Sequence, residues 1–107
     1  MSLINDIIRT MDTELDRILL CLDYVTEEQI WYRFKSEMNS IGNLCVHLAG
    51  NEYQHFVSGI GNTPNIRQRS FEFTADHEFT KEELKALLKH TRNESKKSFS
   101  KLRRKIS

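Results

Sequence analysis

Leu3, Ile4, Ile7, Ile8, Met11, Leu15, Ile18, Leu19 and Leu22 recur at spacings of three and four residues, while Asp6, Asp12, Asp16 and Arg17 fall mostly off that stripe. A period near 3.6 held this long fits an amphipathic helix, here over residues 3–24, and fits no strand. A helix with one apolar face must bury it against other elements, so the rest of the chain has to supply them.

The sequence supplies mostly helices. Thr26-Glu-Glu-Gln29 is a capping box that starts a short helix through Trp31. Asn39 or Ser40 caps a second long helix with an apolar face of Ile41, Leu44, Cys45, Leu48, Ala49, Phe56 and Ile60, and Gly59 and Gly61 are expected to end it. Thr80-Lys-Glu-Glu83 is another capping box, opening a third long helix on which Leu84, Leu87, Leu88, Phe99 and Leu102 share a face. Four glycines and one proline leave little material for the turns of an all-β fold. The expected fold is therefore all-α, an up-and-down bundle of three long helices and a short one, in a single domain over 1–107. Residues 61–79 read as an irregular connection, a length unusual in a compact domain unless it has a task. In it Arg67, Arg69 and Glu72 would line the mouth of a site or form a structural ion pair. Trp31 and Tyr32 read as core or interface anchors.

The chemistry is concentrated in residues 39–61, NSIGNLCVHLAGNEYQHFVSGIG. His47, Asn51 and His55 stand at i, i+4 and i+8, one polar stripe along the edge of the apolar face. They do not make a metal site alone. Eight residues span about 12 Å of helix axis, whereas zinc–nitrogen bonds are about 2.0–2.1 Å. If His47 binds a metal, its co-ligands come from another helix. Glu52 could act as general base for a metal-bound water or be an ordinary helical glutamate. His77 and His90 read as exposed.

No run is long and apolar enough to span a membrane, and the N-terminus lacks a signal-peptide pattern. The expected compartment is the cytoplasm, with Cys21 and Cys45 as reduced thiols on apolar faces. Residues 1–90 hold 9 Lys/Arg and 14 Asp/Glu, a net of −5, whereas 91–107 hold 7 and 1, a net of +6. Cations favour a helix C-terminus, and no aromatics are interleaved for base stacking. Nucleic acid and membrane are therefore not expected partners.

The run NSIGNLCVHLAGNEYQHFVSGIG, the preceding WYRFKSEM and the following RQRSFEF resemble the DinB/YfiT-like superfamily, in its subgroup of small bacterial proteins with a SIGNLxxHLAGN-type second helix. The resemblance covers roughly residues 24–85. It implies a four-helix bundle in which a divalent metal, zinc or nickel, is held by one histidine of helix 2 and a His-x-x-x-His pair on the last helix. His47 matches the helix-2 ligand. The last helix has no counterpart here, and no histidine follows His90, so two of the three ligands that the resemblance implies are lacking. The implied activity is thiol-dependent transfer or hydrolysis, with a small-molecule thiol or other substrate. The alternative is a non-catalytic helical module. Either way, an uncovered groove is expected where the last helix would pack, and a homodimer that buries Leu84, Leu88, Phe99 and Leu102 between subunits is expected to cover it.

Overall fold

The computed structural model describes residues 3–106; Met1, Ser2 and Ser107, the ends of the 1–107 domain range, lie outside the described residues. The elements are α1 (Leu3–Asp23), α2 (Glu27–Trp31), α3 (Ile41–Glu52), which runs on into a π-helical turn (Tyr53–Ser58), α4 (Arg69–Thr74) and α5 (Lys81–Ile106). Among the described residues there is no strand. The long helices α1 and α5 lie antiparallel. Lys85 Nζ is 2.5 Å from Asp23 Oδ1 at one end, and Arg103 hydrogen-bonds to Asn5 at the other.

Both capping boxes read from the sequence form, and a third appears at the start of α3. Thr26 and Gln29 exchange side-chain and backbone bonds, as do Thr80 and Glu83. At the start of α3 the cap is Ser40, and its partner is Asn43. The core collects Leu15 and Leu22 from α1, Ile30 and Trp31 from α2, Cys45, Val46 and Ala49 from α3, and Leu84 and Leu88 from α5. Trp31 donates its indole N–H to the Phe79 carbonyl at 3.1 Å, which ties α2 to the start of α5. Tyr32, by contrast, is exposed.

Several expectations are corrected. Residues 61–79 are not wholly irregular, because Arg69–Thr74 closes a helix. The second long helix does end at Gly59 as expected, but not through a left-handed glycine: the positive-φ residue that follows is Asn62, at 59°, one of the few side chains that tolerates that region. The face of α5 is filled within the chain, with Leu84 0 %, Leu88 6 % and Phe99 3 % exposed. Leu84, Leu88 and Phe99 therefore have nothing left to bury against a second subunit, and Leu102, the fourth residue expected there, is half-buried. The uncovered face is on α3 instead, where Ile41, Leu44 and Leu48 are each more than 40 % exposed. The reason is which side of α3 is packed. Gly42, Asn43, Cys45, Val46 and Ala49 are its buried residues, and α4 and α5 both lie against that helix.

Glu52 is also reassigned. Its carboxylate accepts bonds from Arg92 Nε at 3.0 Å, Arg92 Nη2 at 3.1 Å and Ser95 Oγ at 2.7 Å. Arg92 reaches Asp12 Oδ1 at 3.3 Å, and Lys96 reaches Asp12 Oδ2 at 2.8 Å. Burial works against the Arg92 charge, but Glu52 and Asp12 outweigh it and push the guanidinium pKa up. This network joins α1, α3 and α5, so Glu52 is an interhelical tie, with both carboxylate oxygens engaged by Arg92.

Candidate functional site

The backbone of the site is set by the turn after α3. Asn62 reverses the chain, and the 61–79 connection returns alongside α3. The Asn65 side chain accepts the Arg67 amide at 3.0 Å and fixes the entry of Arg67. α4 then carries Glu72 onto α3, where both the Arg67 and the Glu72 side chains are only 3 % exposed. Their pairing is bidentate: Arg67 Nε donates to Glu72 Oε2 at 2.8 Å and Nη2 to Oε1 at 3.0 Å. Arg67 Nη1 donates to Gln54 Oε1 at 2.9 Å. Planar guanidinium and carboxylate match in this geometry, which is why a buried pair of this kind holds its position.

Asn43 anchors the same loop from below. It is fully buried, caps α3 through Oδ1, and donates Nδ2 to the Glu72 carbonyl at 3.1 Å and the Ala75 carbonyl at 2.7 Å. Gly50 makes room above: a Cβ there would run into Glu72 Oε2. Burial by itself raises the Glu72 pKa, but the hydrogen bonds from Arg67 and His47 overcome it and hold the carboxyl below its ordinary value of 4.5.

His47 closes the cluster. Its Nδ1 lies 3.1 Å from Glu72 Oε1 and 3.1 Å from Arg67 Nη2. The two contacts call for opposite tautomers. A proton on Nδ1 donates to Glu72 and leaves the Nε2 lone pair free; a bare Nδ1 accepts from Arg67 and puts the proton on Nε2. The Phe73 ring packs at 5.2 Å between centroids, and the side chain is 31 % exposed. A histidine whose Nδ1–H is held by a carboxylate is the form in which imidazole ligates metals through Nε2.

Residues 2–104 match the family described as "Protein of unknown function (DUF1572)". The chain belongs to that family, which is DinB-like. No curated protein and no solved structure matches it.

The other histidines of this DUF1572 chain do not converge on His47. The π turn at 53–58 has a wider residue spacing than an α-helix, so the stripe breaks after Asn51 and His55 is carried out of line. Both Asn51 and His55 are exposed. His77 pairs with its neighbour Asp76 at 2.6 Å, and His90 is exposed on α5. Among the described residues no group of three or more His, Cys, Asp or Glu side chains could hold a metal. The donor set therefore fits one ligand position and not a metal centre.

The sequence singled out His47, and it weighed Glu72 with Arg67 as an ion pair or as the site mouth. The pair is structural and it also touches His47. Asn43, Gly50 and Gln54 were not foreseen. Ser40 and Asn43 do stand at capping-box spacing, which was a usable signal; Gly50 and Gln54 left none, because their roles depend on where α4 and the connection land.

Proposed function

We propose that this chain is a metal-dependent enzyme scaffold of the DinB-like type, in which His47 is the ligand position of a divalent zinc or nickel ion. The supporting observation is the Arg67–Glu72 clamp on His47 Nδ1. A buried bidentate ion pair against a single imidazole nitrogen costs desolvation, and fixing a ring so that it binds through its other nitrogen gives that cost a purpose. In this reading Glu72 orients His47, Arg67 fixes Glu72, and further ligands are brought by a segment that packs on the open side of α3. The activity is thiol-dependent transfer or hydrolysis on a small molecule. The compartment is the cytoplasm, where the free thiols Cys21 and Cys45 would stay reduced.

Metal analysis and NMR of uniformly 15N-labelled protein test it together. The free chain should show the Nδ1-protonated tautomer at His47. Added zinc or nickel should perturb Nε2 of that ring, be lost on dialysis, and leave His47→Ala unaffected. An Nε2–H tautomer, or stoichiometric metal that survives dialysis in His47→Ala, would overturn the assignment.

A second reading is a non-catalytic homodimerisation module, favoured by the uncovered Ile41, Leu44 and Leu48. Apolar residues clustered on one helix face mark an interaction surface. A two-fold pair would cover it with the same face of a second copy.

A further inference from the structure

The 61–79 connection roofs a cleft that the His47 reading does not use. The cleft lies between α3, α4 and α5, has a volume of about 210 Å³, and is walled by Ala49, Tyr53, Phe71, Phe79, Leu87 and Thr91. Arg67 and Glu72 also line it, and their contact with His47 makes them the partition between the cleft and that histidine. We infer that this cleft is a binding site for a neutral, single-ring aromatic molecule carrying one oxygen acceptor.

Size sets the ring count. An apolar cavity of about 150 Å³ is enough to hold benzene, whereas sites for larger ligands and cofactors run to about 300–1,000 Å³. The observed space takes one ring with a small substituent and is too small for a nucleotide. The walls set the aromatic character. Tyr53, Phe71 and Phe79 present rings, and Phe71 and Phe79 already meet edge-to-face at 6.1 Å, a geometry that a third ring can extend.

The Arg67–Glu72 pair sets the charge. The guanidinium is neutralised by a bidentate carboxylate, and both carboxylate oxygens are in use. Neither an anion nor a cation gains an unpaired partner there. One polar opening is left. Of the two hydrogens on Arg67 Nη1, one goes to Gln54, and the other has no acceptor among the described residues. Arg67 lines the cleft, and a single ligand oxygen there would satisfy that hydrogen in place of water. A phenol or an aromatic carbonyl compound has this chemistry.

Heteronuclear NMR of the full chain, titrated with phenol, toluene and benzoate at millimolar concentration, tests the inference. Phenol should give saturable shifts at Ala49, Leu87 and Thr91, bind several-fold more tightly than toluene, and bind more tightly than benzoate. Leu87→Trp, which fills the cleft from a half-buried position, should abolish the shifts with its helical circular dichroism retained; if that variant loses helix, Ile66→Trp at the exposed rim takes its place. Equal binding of toluene removes the acceptor from the proposal, and tighter binding of benzoate removes the neutral ligand. Absence of saturable shifts with phenol, or shifts confined to Ile41, Leu44 and Leu48, overturns the site. A failure here leaves the His47 tautomer experiment untouched, because that experiment reads a different atom with no aromatic ligand present.

Discussion

At Gly50 two residue-level effects oppose each other. Alanine is the better helix former by about 1 kcal/mol, but its Cβ would strike the Glu72 carboxylate. That oxygen is held by Arg67 and cannot retreat without breaking the pair. Overpacking costs about 1–3 kcal/mol, so Gly50→Ala should lower the urea midpoint despite the propensity gain. The same substitution should move the His47 ring resonances. Glu72 gives a second prediction, in pH. Its folded-state pKa is depressed, so its stabilising contribution is present above the unfolded value near 4.5 and is lost as pH falls through the lower folded value. Thermal midpoints should therefore drop as the pH falls through that range, and Glu72→Gln should flatten the drop. An unchanged slope in that variant would mean that other carboxylates carry the acid transition. His47 was legible because the resemblance to the DinB-like pattern singles it out; helical spacing alone put Asn51 and His55 on the same edge of α3, and the π turn breaks that stripe. Asn43 was not, because a buried asparagine with two loop carbonyls reads in sequence like any helical asparagine.

The elements whose periodicity is strongest were the most legible. α1 and α5 carry apolar stripes, and each starts or ends near where its pattern does. α4 was missed because RSFEFT alternates polar and apolar residues, a strand-like pattern that only the packing against α3 overrides. The π turn was missed because no residue type announces an i→i+5 bond, and Gly59 N–H reaching Gln54 O at 3.1 Å is visible only in space. Buried polar contacts also hold the elements together. α5 buries Thr91, Arg92, Ser95 and Ser98 as well as its leucines, and the Arg92–Glu52 pair makes polar residues part of the interface. Glu52→Ala would leave Arg92 buried beside Asp12 alone. Breaking one partner of a buried pair costs about 3–5 kcal/mol; with Asp12 remaining, a loss toward the lower figure is expected in urea unfolding, larger than for Asp12→Ala. The reverse order would place the main tie between α1 and α5 instead.

For the whole molecule, the homodimer reading is tested at the uncovered α3 face, where Ile41, Leu44 and Leu48 are exposed. If two copies meet there, Leu48→Glu should shift light scattering to the monomer across a concentration series and leave the helical circular dichroism in place. Leu88→Glu should instead unfold the chain, since Leu88 is already buried within it. A monomeric parent chain at micromolar concentration would remove the homodimer reading and leave the exposed face for a different occupant. Only half of this was legible in sequence: an open groove was expected, but its location depends on α5 filling its own face. The fastening of the 61–79 connection has a further consequence, in time rather than in space. Its hold on α3 runs through Arg67, Glu72 and Asn43, all within one short stretch of contact. A cooperative opening there would release all three together. Amide hydrogens in 66–79 should then exchange with solvent at one common rate, well ahead of those in the middle of α5, and each such opening would expose the imidazole and unroof the aromatic cleft in the same instant.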